Sequence, residues 1–337
     1  MSTLITSDLP HSQVWWQRPA VLIPASLLAL YFIWGSTYLA IRVAVASWPP
    51  FLLAGVRFII AGSALFAFLR WRGMAVPTAR QWRNCAITGL LLLGMGNGLV
   101  CLAEQSVASG LAAVALASMP LFAAFFAGFL GHWPHRAEWL GLIVGFAGVI
   151  LLSLGGGMAG SPWGTLALIT SAAAWAFGSV WSKRRDLPAP AMNTAAQMLT
   201  AGVALLAFSL LIGERLASVP PLQANLALLY LILAGSLVGF SAYLYLLGTV
   251  RPALATSYAY VNPPVAVLIG ALFGGEIVHA TDLVAMAVIL AGVAIIALTR
   301  KRGIKAPAAL TSPACAPPAA PETDHPESRS PVPSAGR

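Results

Sequence analysis

Gly110-Leu111-Ala112, then Met119-Pro120, then Gly131, recurs as Ala253-Leu254-Ala255, Asn262-Pro263 and Gly274, an offset of 143 residues. Earlier in the chain the offset drifts to 140, which sets Ala61-Gly62 on Ala201-Gly202. Identities are sparse, but the apolar segments follow the same order in both halves. If each half crosses a membrane an odd number of times, the second is upside down relative to the first.

Composition puts the chain in a membrane. Of 337 residues, 59% are hydrophobic and only 9% charged, where a soluble domain carries about 25% charged residues. Runs such as 51–69, 111–130, 140–154 and 283–298 hold few or no charges. Several approach the roughly 20 residues that a helix needs to cross the hydrocarbon core. Barrel strands would alternate polar and apolar residues over about 10 positions, and no such alternation occurs. The expected spans are 24–41, 51–69, 85–103, 110–130, 138–155, 163–181, 191–212, 225–247, 253–273 and 282–299. The expected fold is therefore an all-α integral membrane protein: ten transmembrane helices as two inverted five-helix repeats, 24–155 and 163–299. Residues 1–23 form a cytoplasmic lead without a signal-peptide pattern. Residues 303–337, with eight prolines, form a disordered Pro/Ala-rich cytoplasmic tail.

The net charge of +9 does not point to nucleic acid, because the basic residues sit in short loops beside spans. With the N-terminus inside, 14 loop lysines and arginines fall on the cytoplasmic side and only Arg42 and Arg215 outside. That split sets both termini in the cytoplasm. Loops related by the repeat reverse their bias: 42–50 holds one basic residue and its mate 182–190 three, while 70–84 holds four and 213–224 one. Inverted repeats with a substrate site between them are the architecture of secondary transporters. Cys85, Cys101 and Cys315 have no paired spacing and imply neither a disulfide framework nor a metal site.

Particular motifs carry a resemblance. They are Trp34-Gly35-Ser36-Thr37-Tyr38, Ser47-Trp48-Pro49-Pro50, Ala54-Gly55-Val56-Arg57-Phe58, Asn97-Gly98, Trp175-Ala176-Phe177-Gly178-Ser179 and the run from Pro252 to Pro263. Together they resemble the drug/metabolite transporter (DMT) superfamily, EamA type, over about residues 25–300. The resemblance implies a ten-helix bundle of two EamA repeats in a bacterial inner membrane, exporting small molecules by alternating access. It implies the class and not the cargo.

Candidate site residues follow from chemistry at membrane depth. Pro120 lies mid-span in 110–130, and Pro263-Pro264 mid-span in 253–273. A proline removes one helical hydrogen bond, here freeing carbonyls of Leu116, Ala259 and Tyr260. Matching interruptions in both halves mark either a midplane binding site or kinks that only shape the bundle. Tyr258 and Asn262 share a helical face. Trp34 with Tyr38, and Trp175 with Gly178, sit mid-span, either lining a cavity or packing helices together. Trp48, Trp133 and Trp163 fit the interfacial belt. Arg57 is the only basic residue well inside a span, and its repeat mate is the neutral Gln197. It either meets an anionic group or a carboxylate, or snorkels to the outer surface or caps backbone carbonyls. Asn97 either lines the cavity as well or makes an interhelical hydrogen bond. Glu104 ends the third span, as a solvated loop carboxylate, a partner for Arg57 or a coupling group. The substrate-binding set is thus Trp34, Tyr38, Arg57, Asn97, Trp175, Gln197, Tyr258 and Asn262.

No cofactor is called for. His132 and His135 lack further ligands for a metal, and no phosphate-binding glycine loop is present. The expected partners are a small-molecule substrate and the lipid bilayer, with no nucleic acid; the oligomeric state, a monomer or larger, is left open by the sequence. A secondary exporter of amino-acid-like or aromatic amphiphilic compounds fits best. An embedded enzyme would need clustered His, Asp or Glu in the spans, and a receptor or scaffold would not need paired proline breaks.

Overall fold

A computed structural model describes residues 19–129, 131, 133–154, 161–250, 254 and 257–303. The N-terminal lead up to 18, Arg251, Pro252, His132 and the proline-rich tail lie outside the described residues. The helical segments are α1 (Pro19–Val45), α2 (Pro50–Trp71), α3 (Ala79–Ala103), α4 (Ser109–Phe129), α5 (Arg136–Leu154), α6 (Pro162–Ser182), α7 (Pro190–Leu211), α8 (Leu222–Leu246), α9 (Tyr258–Phe273) and α10 (Ala280–Gly303). Seven of these, α1–α4 and α6–α8, are long and apolar enough to cross a membrane, and α5, α9 and α10 carry shorter apolar helices. No strand occurs among the described residues. An all-helical solution is what hydrocarbon demands, because a helix satisfies its own backbone.

Two helices show how local sequence sets the ends. Both α2 and α7 run 22 residues and begin with proline, whose missing N–H is not needed in a first turn. Both stop at a glycine of positive φ, Gly73 at 81° and Gly213 at 75°. There the chain turns back: Gly73 N–H donates to Arg70 O and Met74 N–H to Leu69 O, and Gly213 N–H to Leu210 O and Glu214 N–H to Ser209 O. Only glycine takes that left-handed turn without strain.

These two helices pack directly on each other. A Cβ on Gly62 would lie 2.9 Å from Met198 Cβ, and one on Gly202 would lie 2.9 Å from the Ile59 backbone nitrogen. The pairing 62 with 198 and 59 with 202 makes the helices antiparallel. Small residues permit this backbone approach, the usual route to helix association in lipid. Likewise α5 meets α10 with Gly141 beside Gly292 and Gly148 beside Ile289, again antiparallel. Buried Leu53, Phe58, Leu93, Leu121, Leu168, Met198 and Leu231 belong to one core, and large apolar side chains such as Trp71, Leu211 and Phe273 face outward.

Three segments carry π-helical turns: Leu30–Trp34 in α1, Leu90–Met95 in α3 and Leu231–Val238 in α8. Such turns widen the helix and often border functional sites. Helix α4 is interrupted at Ala117–Ser118 and restarts at Met119, so Pro120 is the second residue of the new helical stretch rather than a kink within one. Ser118 Oγ turns back to Ala115 O at 2.6 Å. Pro263 and Pro264 lie inside the uninterrupted α9. Helix α9 lies against Ser109–Leu116, while Met119–Phe129 packs on α6.

Candidate functional site

Two tryptophans are seated in the same manner in opposite halves. Trp175 of α6 lies on Gly96 of α3, where a Cβ would fall 2.6 Å from the indole. Trp34 of α1 lies on Gly239 of α8, where a Cβ would collide with the indole nitrogen edge. Both glycines follow a π-helical turn, and each turn region lends a carbonyl to the facing helix. Gly235 O accepts from Trp34 Nε1 at 3.0 Å, and Gly96 O accepts from Ser171 Oγ. Edge-on rings pack around Trp34: Tyr258 at 4.8 Å and Phe240 at 5.3 Å between centroids.

Between these helices is a cavity of about 80 Å³. Of the residues singled out in the sequence, Trp34, Tyr38, Arg57, Asn97, Trp175, Tyr258 and Asn262 all line it, joined by Thr37, Leu116, Met119 and Phe240. Gln197 does not line it. Its amide donates to Asn193 Oδ1 at 2.9 Å, and its backbone backs onto Gly89 of α3. Neither do the prolines, although Met119 and Asn262, their chain neighbours, do. Pro264 is exposed and faces away.

Arg57 does not snorkel. It is 5% exposed; its Nε donates to Ser236 Oγ at 2.9 Å and one terminal nitrogen to Asn97 Oδ1 at 3.4 Å. Its guanidinium carbon lies 5.1 Å from the centre of the Phe58 ring. No carboxylate of the described residues comes within 4.0 Å of it. The expected Arg57–Glu104 pair is therefore absent. Glu104 is not a solvated loop carboxylate either, being 1% exposed. Asn262 is buried, and its Oδ1 has no partner among the described residues. The cavity thus offers a fixed positive charge, a free buried acceptor and aromatic walls.

Sequence reasoning missed Ser236, which anchors the guanidinium, although a lone serine inside an apolar run was a signal. It also missed Glu276, whose role depends on contacts far along the chain. Trp48, expected in the interfacial belt, is half-buried and donates to Asn225 Oδ1 at 3.1 Å, whereas Trp133 and Trp163 are exposed. Among the described residues no cluster of three or more potential metal ligands occurs.

The family model described as "EamA-like transporter family" matches residues 23–154 and again 162–298. The chain belongs to the EamA-like transporter family. It is 48% identical over 274 residues to the uncharacterized inner membrane transporter YedA of Escherichia coli (strain K12), covering 81% of this chain and 90% of that one. It is 27% identical over 288 residues to a probable terminal-alkyne amino-acid exporter of Streptantibioticus cattleyicolor, covering 84% and 96%. A solved crystal structure of a protein shares the fold at a TM-score of 0.60 and 22% identity, covering 84% of this chain and 98% of the other. The resemblance read from the motifs is borne out. This member of the family is an inner-membrane protein with several spanning helices.

Proposed function

We propose that this EamA-family protein is a secondary transporter that exports small amino-acid-like or aromatic amphiphilic metabolites by alternating access. The observation that carries the reading is Arg57, a buried cation facing an aromatic cavity with no carboxylate partner. A charge at membrane depth is costly unless compensated, and a substrate carboxylate supplies the compensation. Asn262 Oδ1 accepts the substrate's ammonium, and Trp34, Trp175 and Tyr258 cover its apolar part. Pro120 and Pro263 shape the walls beside Met119 and Asn262; Gln197 supports the scaffold from α7. The amino-acid exporter among the relatives favours the same class.

The same reading makes the molecule ten spanning helices in two inverted repeats, with both termini cytoplasmic. The double family match, the shared caps of α2 and α7 and the antiparallel contact of repeat mates support it. Alternating access then rocks one half against the other around the cavity.

The test is a thermal-shift screen of the purified protein in detergent against amino acids, polyamines, sugars and aromatic cations. A ligand of the folded state raises the midpoint by mass action. An amino acid whose shift disappears in Arg57→Gln and in Asn262→Ala, and which the wild type moves across proteoliposomes, is the expected result. Hits indifferent to both substitutions would sink the site.

A further inference from the structure

At the end of the bundle where α1 and α3 finish and α4 begins, one carboxylate ties three segments together. Glu276, in the turn after α9, accepts the backbone N–H groups of Ser109 at 2.7 Å and Gly110 at 3.0 Å. Its Oε1 also lies 3.4 Å from Arg42 Nε in α1. Arg42 in turn donates to the carbonyl of Val107 at 2.6 Å. A negative charge suits a helix N-terminus. The fit depends on Gly270, where a Cβ would collide with the Glu276 carboxylate. These contacts form a seal between α1, the start of α4 and the turn after α9.

Glu104 sits beside the seal, directly after α3. It is almost wholly buried, and neither carboxylate oxygen has a hydrogen-bond partner among the described residues. The charged and titratable groups acting on it are Glu276, Arg42, Tyr38 and Cys101. Burial first, and the Glu276 carboxylate second, hold its carboxyl well above the usual carboxylate range against the smaller opposing pull of Arg42. An ionised carboxylate has no counter-charge in contact here, whereas the neutral acid fits.

We propose that Glu104 is a proton-binding site whose proton keeps this seal closed. The inference rests on the transport reading above. When the O–H bond breaks, the proton leaves to water and the charge remains on Glu104. Two carboxylates then compete for one arginine, Arg42, and repel each other. The turn after α9 detaches from α4, and water reaches Glu104. Rebinding of a proton reverses each step. The sealed state has the higher Glu104 pKa, so raising the pH favours the open seal and lowering it favours the closed one. One such site shifts the ratio of states at most about tenfold per pH unit.

The experiment uses the full chain in nanodiscs, with native cysteines replaced by alanine and spin labels on Gln105→Cys and Ile277→Cys, two exposed positions flanking the seal. A longer-distance population that grows by up to about tenfold per pH unit on alkalinisation is expected, and Glu104→Gln should hold the short distance at every pH. Distances independent of pH in the parent, or a pH response that survives Glu104→Gln, would overturn the proposal. Should Glu104→Gln not fold, the infrared carbonyl stretch of a protonated carboxyl in the parent decides. It must vanish in step with opening, and its absence from the closed state sinks the idea. The readout needs no flux, so a chain that switches distance but moves no solute keeps this inference and loses the transport reading.

Discussion

Arg57 and Gln197 occupy matching places in α2 and α7, two helices that share their length, their first residue and their terminal glycine turn, and that pack antiparallel on one another. Arg57 turns into the cavity and is held by Ser236 and Asn97, while Gln197 turns to Asn193 and stays out of it. The duplicated features are those of the scaffold: caps, small-residue contacts, and the seats of Trp34 and Trp175. The charge is not duplicated. Of two like helices only α2 therefore gives a charge to the cavity, and the cavity wall is cationic on one side only.

Substituting Arg57→Gln makes the two positions alike and should have the largest effect on function. A hydrogen bond to a charged group contributes about 1.5–3 kcal/mol, so carboxylate ligands should bind about ten- to a hundred-fold more weakly at about 1.4 kcal/mol per tenfold. Titration calorimetry in detergent measures this, and unchanged affinity would break the contrast between the halves. Gly62→Ala and Gly202→Ala test the shared scaffold. Each overpacks the α2–α7 contact and should cost about 1–3 kcal/mol, by similar amounts, in reversible unfolding from mixed micelles. Clearly unequal losses would show that the two glycines are not equivalent. Asn97→Ala leaves the guanidinium with Ser236 alone and should lower affinity several-fold, for the loss of about 1 kcal/mol. Gln197→Ala should change binding least of all; an effect as large as that of Arg57→Gln would move the site to α7.

Apolar runs in the sequence mark the spanning segments, and glycine and proline mark their ends, because both signals act within a turn or two of helix. The cavity was legible to the extent that polar groups are rare at membrane depth: Arg57, Asn97 and Asn262 had few alternatives to facing one another or a ligand. Its aromatic walls were visible as mid-span clusters at Trp34 and Trp175. What stayed hidden depends on distant contacts. Glu104 reads as a loop residue next to Gln105, yet it is buried in the folded chain. The interruption at Ala117–Ser118 was read as a kink at Pro120, because a proline inside an apolar run gives no sign that the helix has already stopped and restarted before it. Gln197 was assigned to the site by symmetry with Arg57, and symmetry holds for backbones better than for side chains.

The paired seating of Trp34 and Trp175 has an optical consequence. Among the described tryptophans these are the ones that border the cavity, whereas Trp71 and Trp163 face outward. Indole emission changes colour and yield with what touches the ring. An occupant leaning on both rings would alter two of the 11 emitters while those facing lipid hold steady. The molecule carries its own dye at the cavity, and any filling and emptying of that space can be followed by light without attaching anything to it.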